Sequence, residues 1–197
     1  ETEEATLVSM CDRALREPAA AWPASVSFAT LAIRKIYVPM PDPMIQSALQ
    51  PAPLRIDYEA ARAADLLAQS DVLAVIGFGP EVTLADDPRT LRVGLTPLGP
   101  PRFEVWRATG PVQTGRTGDL RWSRDDEYLF FAIELDEAVH GGITAAAEHA
   151  YRCITRFVAS SATPHLLRMW NYFDAINLGD GDQERYRLFC EGRALAM

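Results

Sequence analysis

Between residues 168 and 193 the chain gathers Arg168, Trp170, Asn171, Tyr172, Asn177, Arg185, Tyr186, Arg187 and Arg193. Guanidinium groups and phenol hydroxyls hydrogen-bond carboxylates, and aromatic rings cover the apolar faces of a ring. Such a set suits a small cyclic dicarboxylate. The competing reading is an aromatic core seam, with arginine stems lying along it and their heads in water. In HLLRMWNYF (165–173) the alternation predicts a strand, with Arg168, Trp170 and Tyr172 on one face and Met169 and Asn171 on the other. On a helix over 183–196, Tyr186, Phe189, Cys190 and Arg193 share a stripe.

Other reactive residues point to less. Gly77-Phe78-Gly79-Pro80 lacks the third glycine of a dinucleotide loop, and Pro80 has no amide to donate, so no nucleotide is expected there. His149 and Cys153 stand four apart, as two ligands on one helical face do. No second pair is in view, so a surface or partly covered histidine is expected and no metal site. His140 sits beside Gly141-Gly142 and His165 follows Pro164. With no G-x-S-x-G in the chain, nucleophilic triad chemistry is not expected. The acidic run Asp180-Gly181-Asp182-Gln183-Glu184 lacks the spacing of an EF-hand loop and reads as a helix cap.

The elements that must position these residues follow from local pattern. SVSFATLAIRKIYV (25–38) is β-branched and apolar, a strand before the breakers Pro39, Pro41 and Pro43. LRIDYEA is a short segment after Pro51 and Pro53, and 61–70 is weakly helical. DVLAVIGFG (71–79) is a continuous apolar run, hence a buried strand, and 80–100 reads as irregular. FEVWRA (103–108) is a strand, GPVQTGRTGD a turn-rich loop, and LRWSRDDEYLFFAIEL (120–135) a hairpin turning at Arg124–Glu127. Ile143, Ala147, Ala150, Ile154, Phe157 and Val158 recur at helical spacing, and Thr163-Pro164 stops that helix. Strands followed by helices predict an α+β fold: one mixed or antiparallel sheet with helices packed on one face.

Composition bounds the partners. The 197 residues suit one domain or two small ones. A formal net charge of -8 repels polyanions, so neither nucleic acid nor an anionic membrane is an expected partner. It leaves a small anion open, and with Lys35 as the sole lysine the cations are almost all guanidinium. Three cysteines (Cys11, Cys153, Cys190) without a CxxC pair argue against a disulfide framework and for a reducing compartment, the cytoplasm. No apolar run is long enough to span a bilayer, and the acidic start is unlike a signal peptide.

RMWNYFDAIN (168–177) followed by ERYRLFCEGRALA (184–196) resembles the chorismatase family, which includes the 3-hydroxybenzoate synthases. FEVWRATGPVQTGRTGDLRWSRDDEYLFFAIEL (103–135) fits the preceding part of that pattern, while the first hundred residues resemble it loosely. The resemblance implies removal of the enolpyruvyl group of chorismate as pyruvate, leaving 3- or 4-hydroxybenzoate or a dihydroxycyclohexadiene carboxylate. It implies no metal and no organic cofactor. It also implies kinship with the RidA/YjgF trimers and a RidA-like second half whose glutamate moves the proton. By that likeness Asn171, Tyr172, Tyr186 and Arg193 are substrate-binding, with Arg121 of the hairpin as a further carboxylate clamp. The chain stops just after Gly192-Arg193. It is therefore expected to be an N-terminal substrate-binding part, with a subdomain at 1–100, a RidA-like α+β subdomain at 101–197, and a catalytic C-terminal domain beyond. Alone it is expected to be inactive; if it were active, Glu134 and Glu184 would be the first acids to test. A dimer or trimer is expected. The rival readings are a non-catalytic RidA-like binding or assembly module and a RidA-type imine deaminase.

Overall fold

A computed structural model describes residues 25–33, 54–80, 82–95, 97–99 and 103–197, with side chains of the first segment given at 26–28. The strands are β1 (Ser25–Ile33), β2 (Arg55–Glu59), β3 (Val72–Phe78), β4 (Thr90–Val93), β5 (Phe103–Arg107), β6 (Gln113–Thr117), β7 (Leu120–Arg124), β8 (Tyr128–Asp136) and β9 (His165–Phe173). The helices are α1 (Ala63–Leu67), α2 (Glu137–His140), α3 (Ile143–Ser160) and α4 (Arg185–Leu195), with a 3-10 turn at Gly181–Gln183. The strands form two sheets, not the single one expected. An antiparallel sheet runs β6-β7-β8-β1-β9, and a mixed sheet runs β2-β5-β3-β4, with β3 and β4 parallel. Each sheet takes strands from both sides of residue 100.

Period-2 alternation along β8 explains the layering. Leu129, Phe131, Ile133 and Leu135 face α3 and α4, where they pack with Ile154, Ala150 and Phe189. Tyr128, Phe130 and Ala132 point the other way, into a second core shared with Leu73, Ile76 and Trp106 of the mixed sheet. Trp106 is fully buried, its ring 5.5 Å from Phe130 and 5.1 Å from Trp170 of β9. Such contacts add about 0.5–1.5 kcal/mol each beyond area burial, and here they lock sheet to sheet. Leu66 of α1 covers the far side of the mixed sheet over Val72, Val75 and Val105. The order from one side to the other is α3/α4, antiparallel sheet, mixed sheet, α1, an α+β fold as expected.

The β7–β8 hairpin, the buried β3, helix α3 and strand β9 lie where the pattern puts them. Two strands depart from it. β4 lies within the stretch read as irregular, and β6 within the stretch read as loop. The acidic run does not cap α4 either. The helix begins after Glu184 without a side-chain cap bond, and Asp182 instead pairs with Arg187 at 2.8 Å. The predicted strand residues 34–38, the proline breakers and Cys11 lie outside the described residues. No helix among the described residues is long and apolar enough to cross a membrane.

Helix α4 docks on α3 through Gly192, where a Cβ would lie 2.1 Å from the Thr144 carbonyl oxygen. Backbone cannot yield there as a side chain can. Gly192→Ala is therefore expected to destabilise the fold by about 1–3 kcal/mol, although alanine favours an isolated helix. Denaturant unfolding checks this, and equal or greater stability would mean that the two helices do not meet so closely.

Candidate functional site

The five candidate residues fall into two groups separated by the antiparallel sheet. Tyr172 and Arg121 lie on the face turned to the mixed sheet. Asn171 points to the helix layer, where its Oδ1 accepts a hydrogen bond from the Tyr151 hydroxyl at 3.3 Å. Tyr186 and Arg193 project from α4 on that same side. The structure thus does not bring all five together, because alternation along β9 sends neighbours 171 and 172 to opposite faces.

On the inter-sheet face, register places Glu134, Ser27 and Tyr172 in one row across β8, β1 and β9. Two strand spacings put the outer backbones about 10 Å apart. Arg121, on β7 beside β8, pairs with Glu134. The two border an open depression of about 260 Å³ together with Arg92 and Asp86. Arg121 is engaged by Glu134, and Asp86 by Arg116 of β6. On the mixed sheet, Glu104 accepts from Trp106 Nε1 at 2.7 Å and from the exposed Tyr58 hydroxyl at 2.9 Å. The Arg168 guanidinium lies 5.0 Å over the Trp170 ring.

Burial, with smaller contributions from Glu104 and Tyr58, pushes the Tyr172 phenol up to about 12 from 10.0, against a lowering by Arg168. Tyr172 therefore keeps its proton at neutral pH and is available only as a neutral hydroxyl. The sign of the stability effect follows. Below pH 10 both folded and unfolded chains hold this proton. Between 10 and about 12 the unfolded chain releases it first, so stability falls as pH rises. Tyr172→Phe should flatten that alkaline slope, measured as unfolding free energy against pH; an unchanged slope would mean that the phenol is not held in this environment.

The α4 side is built differently. Arg185 grips Glu137 with two parallel bonds, Nη1 to Oε2 at 2.9 Å and Nη2 to Oε1 at 2.8 Å. It also holds Asp174 at 3.0 Å. This clamp, with Glu137 and Arg185 side chains 6% and 15% exposed, pins the start of α4 to the end of β8 and the exit of β9. The Glu137 and Asp174 carboxylates raise the Arg185 pKa further, so its guanidinium stays charged. One residue on, Tyr186 is 48% exposed. Arg193 lies two turns further, about 10 Å along the axis. Its recorded contact is Cys190 Sγ at 4.0 Å, and it has no carboxylate partner among the described residues. A guanidinium that binds a ligand carboxylate must have N–H groups to spare; Arg193 meets no carboxylate among the described residues, whereas Arg121 already pairs with Glu134 through one of its nitrogens.

Sequence reasoning missed the structural role of Arg185 and Glu137, because residues 48 apart give no local pattern. It also missed Asp119, whose carboxylate meets His149 Nε2 at 2.7 Å, beside Cys153.

Residues 104–197 match the family described as chorismatase FkbO/Hyg5-like, N-terminal. A chorismatase of Streptomyces hygroscopicus is 34% identical over 145 residues, 71% of this chain and 42% of that protein. A chorismatase of Streptomyces rapamycinicus is 33% identical over 145 residues, 71% of this chain and 43% of that protein. A chorismatase crystal structure superposes with a TM-score of 0.62 at 31% identity, covering 75% of this chain and 46% of that one. The chain thus spans less than half the length of these relatives.

Proposed function

We propose that this chain, whose residues 104–197 match the FkbO/Hyg5-like chorismatase N-terminal family, is the N-terminal, substrate-binding region of an enzyme that removes pyruvate from chorismate. The product is 3- or 4-hydroxybenzoate or a dihydroxycyclohexadiene carboxylate. The observation that carries the reading is the α4 wall: Arg193, without a carboxylate partner among the described residues, on one stripe with half-exposed Tyr186, on a helix set by a buried ion pair.

Chemistry assigns the roles. Chorismate carries two carboxylates and an enol ether. Arg193 binds a carboxylate through charge-assisted bonds, and the Tyr186 hydroxyl adds a neutral one. A general acid protonates the methylene carbon of the enol ether, and water adds to the oxocarbenium carbon. The hemiketal then collapses to pyruvate and the ring alcohol, which is the dihydroxycyclohexadiene carboxylate; loss of one water from that diol aromatises it to a hydroxybenzoate. Acid catalysis supplies about 10²–10⁴-fold, and positioning supplies more. The acid belongs to a RidA-like C-terminal domain that completes the pocket, and the cytoplasm is the compartment. The free thiols Cys153 and Cys190 accord with a reducing environment. By the family likeness Asn171, Tyr172 and Arg121 belong to the same substrate-binding set; here Asn171 accepts from Tyr151, Tyr172 lies against the inter-sheet core and Arg121 pairs with Glu134. Whole assemblies are dimers or trimers.

The test is chromatography of ring products after incubating the full-length protein with chorismate. A hydroxybenzoate or dihydroxycyclohexadiene carboxylate is expected. Unchanged chorismate would overturn the reading in favour of a non-catalytic RidA-like module.

A further inference from the structure

On the helix side of the antiparallel sheet, three separate pieces of chain converge on one point. His149 and Cys153 stand one turn apart on α3, and their Nε2 and Sγ atoms are 3.6 Å apart. Asp119, in the β6–β7 turn made by Gly118 at φ 57, brings Oδ2 to 2.7 Å from the same Nε2. The three donor atoms lie within 4.8 Å of one another. His140, at the end of α2, sets its ring 4.9 Å from that of His149. We propose that Asp119, His149 and Cys153, with the His140 ring tilted against that of His149, form a three-ligand binding site for a zinc-class divalent cation whose fourth position is left to water.

The donor set suits such an ion. Zinc takes a tetrahedron of thiolate, imidazole and carboxylate, at roughly 2.3 Å from sulfur and 2.0–2.2 Å from nitrogen or oxygen. Those bond lengths imply a sulfur–nitrogen edge of about 3.5 Å, close to the separation already present between Cys153 and His149. The nitrogen–oxygen edge would be about 3.4 Å, so the Asp119 carboxylate has only to swing out by a fraction of an ångström to admit the ion. That side chain is half exposed and sits in a turn, so the movement disturbs no packing. One thiolate and one carboxylate balance the two charges of the ion. Hard calcium or magnesium would reject the sulfur and demand more oxygens. The ion would tie the β6–β7 turn to the middle of α3. It would act as a staple rather than in the chorismate chemistry, since none of these residues belongs to the α4 wall.

The test is titration of the purified chain with Co²⁺ as the spectroscopic probe, followed by displacement with Zn²⁺. One equivalent is expected to bind, with a near-ultraviolet thiolate-to-cobalt charge-transfer band that zinc abolishes. Cys153→Ser should remove the band, and Cys190→Ser should leave it intact. Asp119→Asn, at an exposed position that cannot threaten folding, should weaken binding by at least roughly tenfold. Zinc at about a hundred times its dissociation constant should raise the melting midpoint of the parent chain by roughly 5–10 °C. A band that survives Cys153→Ser, the absence of any band, or a midpoint unmoved by zinc would each overturn the site and leave Asp119 and His149 as a hydrogen-bonded surface pair only.

Discussion

Arg185→Met is expected to lower folding stability by about 3–5 kcal/mol, or roughly 6–20 °C in melting midpoint for a chain of this size. The reason is the partner left behind. The Glu137 side chain is 6% exposed, and both of its oxygens are taken by Arg185. Without the guanidinium, a carboxylate stays buried with no countercharge. Glu137→Ala should cost less, because Arg185 keeps Asp174 at 3.0 Å and the Asp174 carbonyl at 3.2 Å. Replacing both members, as in Arg185→Met with Glu137→Leu, should recover much of the loss, since apolar pairs often substitute for buried ion pairs at little cost. Denaturant unfolding of the two single variants and the double variant gives the coupling directly. A cost below about 1 kcal/mol for Arg185→Met would mean that water reaches the pair, and α4 would lose its anchor in this account.

The second large effect concerns Arg193 in the full-length protein. Arg193→Ala should lower kcat/KM for chorismate by roughly ten- to a hundredfold, the worth of one charge-assisted contact of about 1.5–3 kcal/mol. Stability should move by no more than about 0.5 kcal/mol, as for a surface substitution. Tyr186→Phe should cost only roughly two- to tenfold, since a neutral hydrogen bond is lost. Arg193→Lys should rescue charge but not the fork, and so restore activity in part. If Arg193 instead caps the last turn of α4, Arg193→Ala should lower the melting midpoint and leave kinetics per folded molecule unchanged. Measuring both quantities on one variant separates the two roles.

Much of the fold was legible because burial writes a period into the chain. The unbroken apolar run of β3, the 3.6-residue spacing of α3 and the turn residues of the β7–β8 hairpin each report a local environment. Strand β6 carries no such mark. Its exposed residues sit at a sheet edge, so Gln113–Thr117 reads like the loop that precedes it. Strand β4 is four residues long and lies between turns, too short for alternation to stand out. The second sheet was hidden for a different reason. β1 inserts between β8 and β9, and β5 between β2 and β3, and no local pattern encodes such long-range partners.

The site divides in the same way. That Asn171 and Tyr172 face apart follows from alternation alone; that both faces of their sheet are covered does not. The Gly192-Arg193 pair at the end of the signature has two different causes, a glycine required by helix contact and an arginine with donors to spare. Sequence spacing could not separate them. Asp119 illustrates the limit most sharply: thirty residues from His149, it meets that side chain only through the fold.

A substrate-binding wall in this chain and a proton donor elsewhere in the full-length protein would both be needed for pyruvate to leave chorismate. The most direct measurement is pyruvate release from chorismate, by an enzyme-coupled assay, for the full-length protein and for the 197-residue chain side by side. One pyruvate per chorismate consumed is expected from the full-length protein, with negligible release by the shorter chain. Robust release by the 197-residue chain would contradict that division, because the acid would then lie within these residues, with Glu134 and Glu184 the first to replace. No release by the full-length protein would contradict the chorismate reading itself.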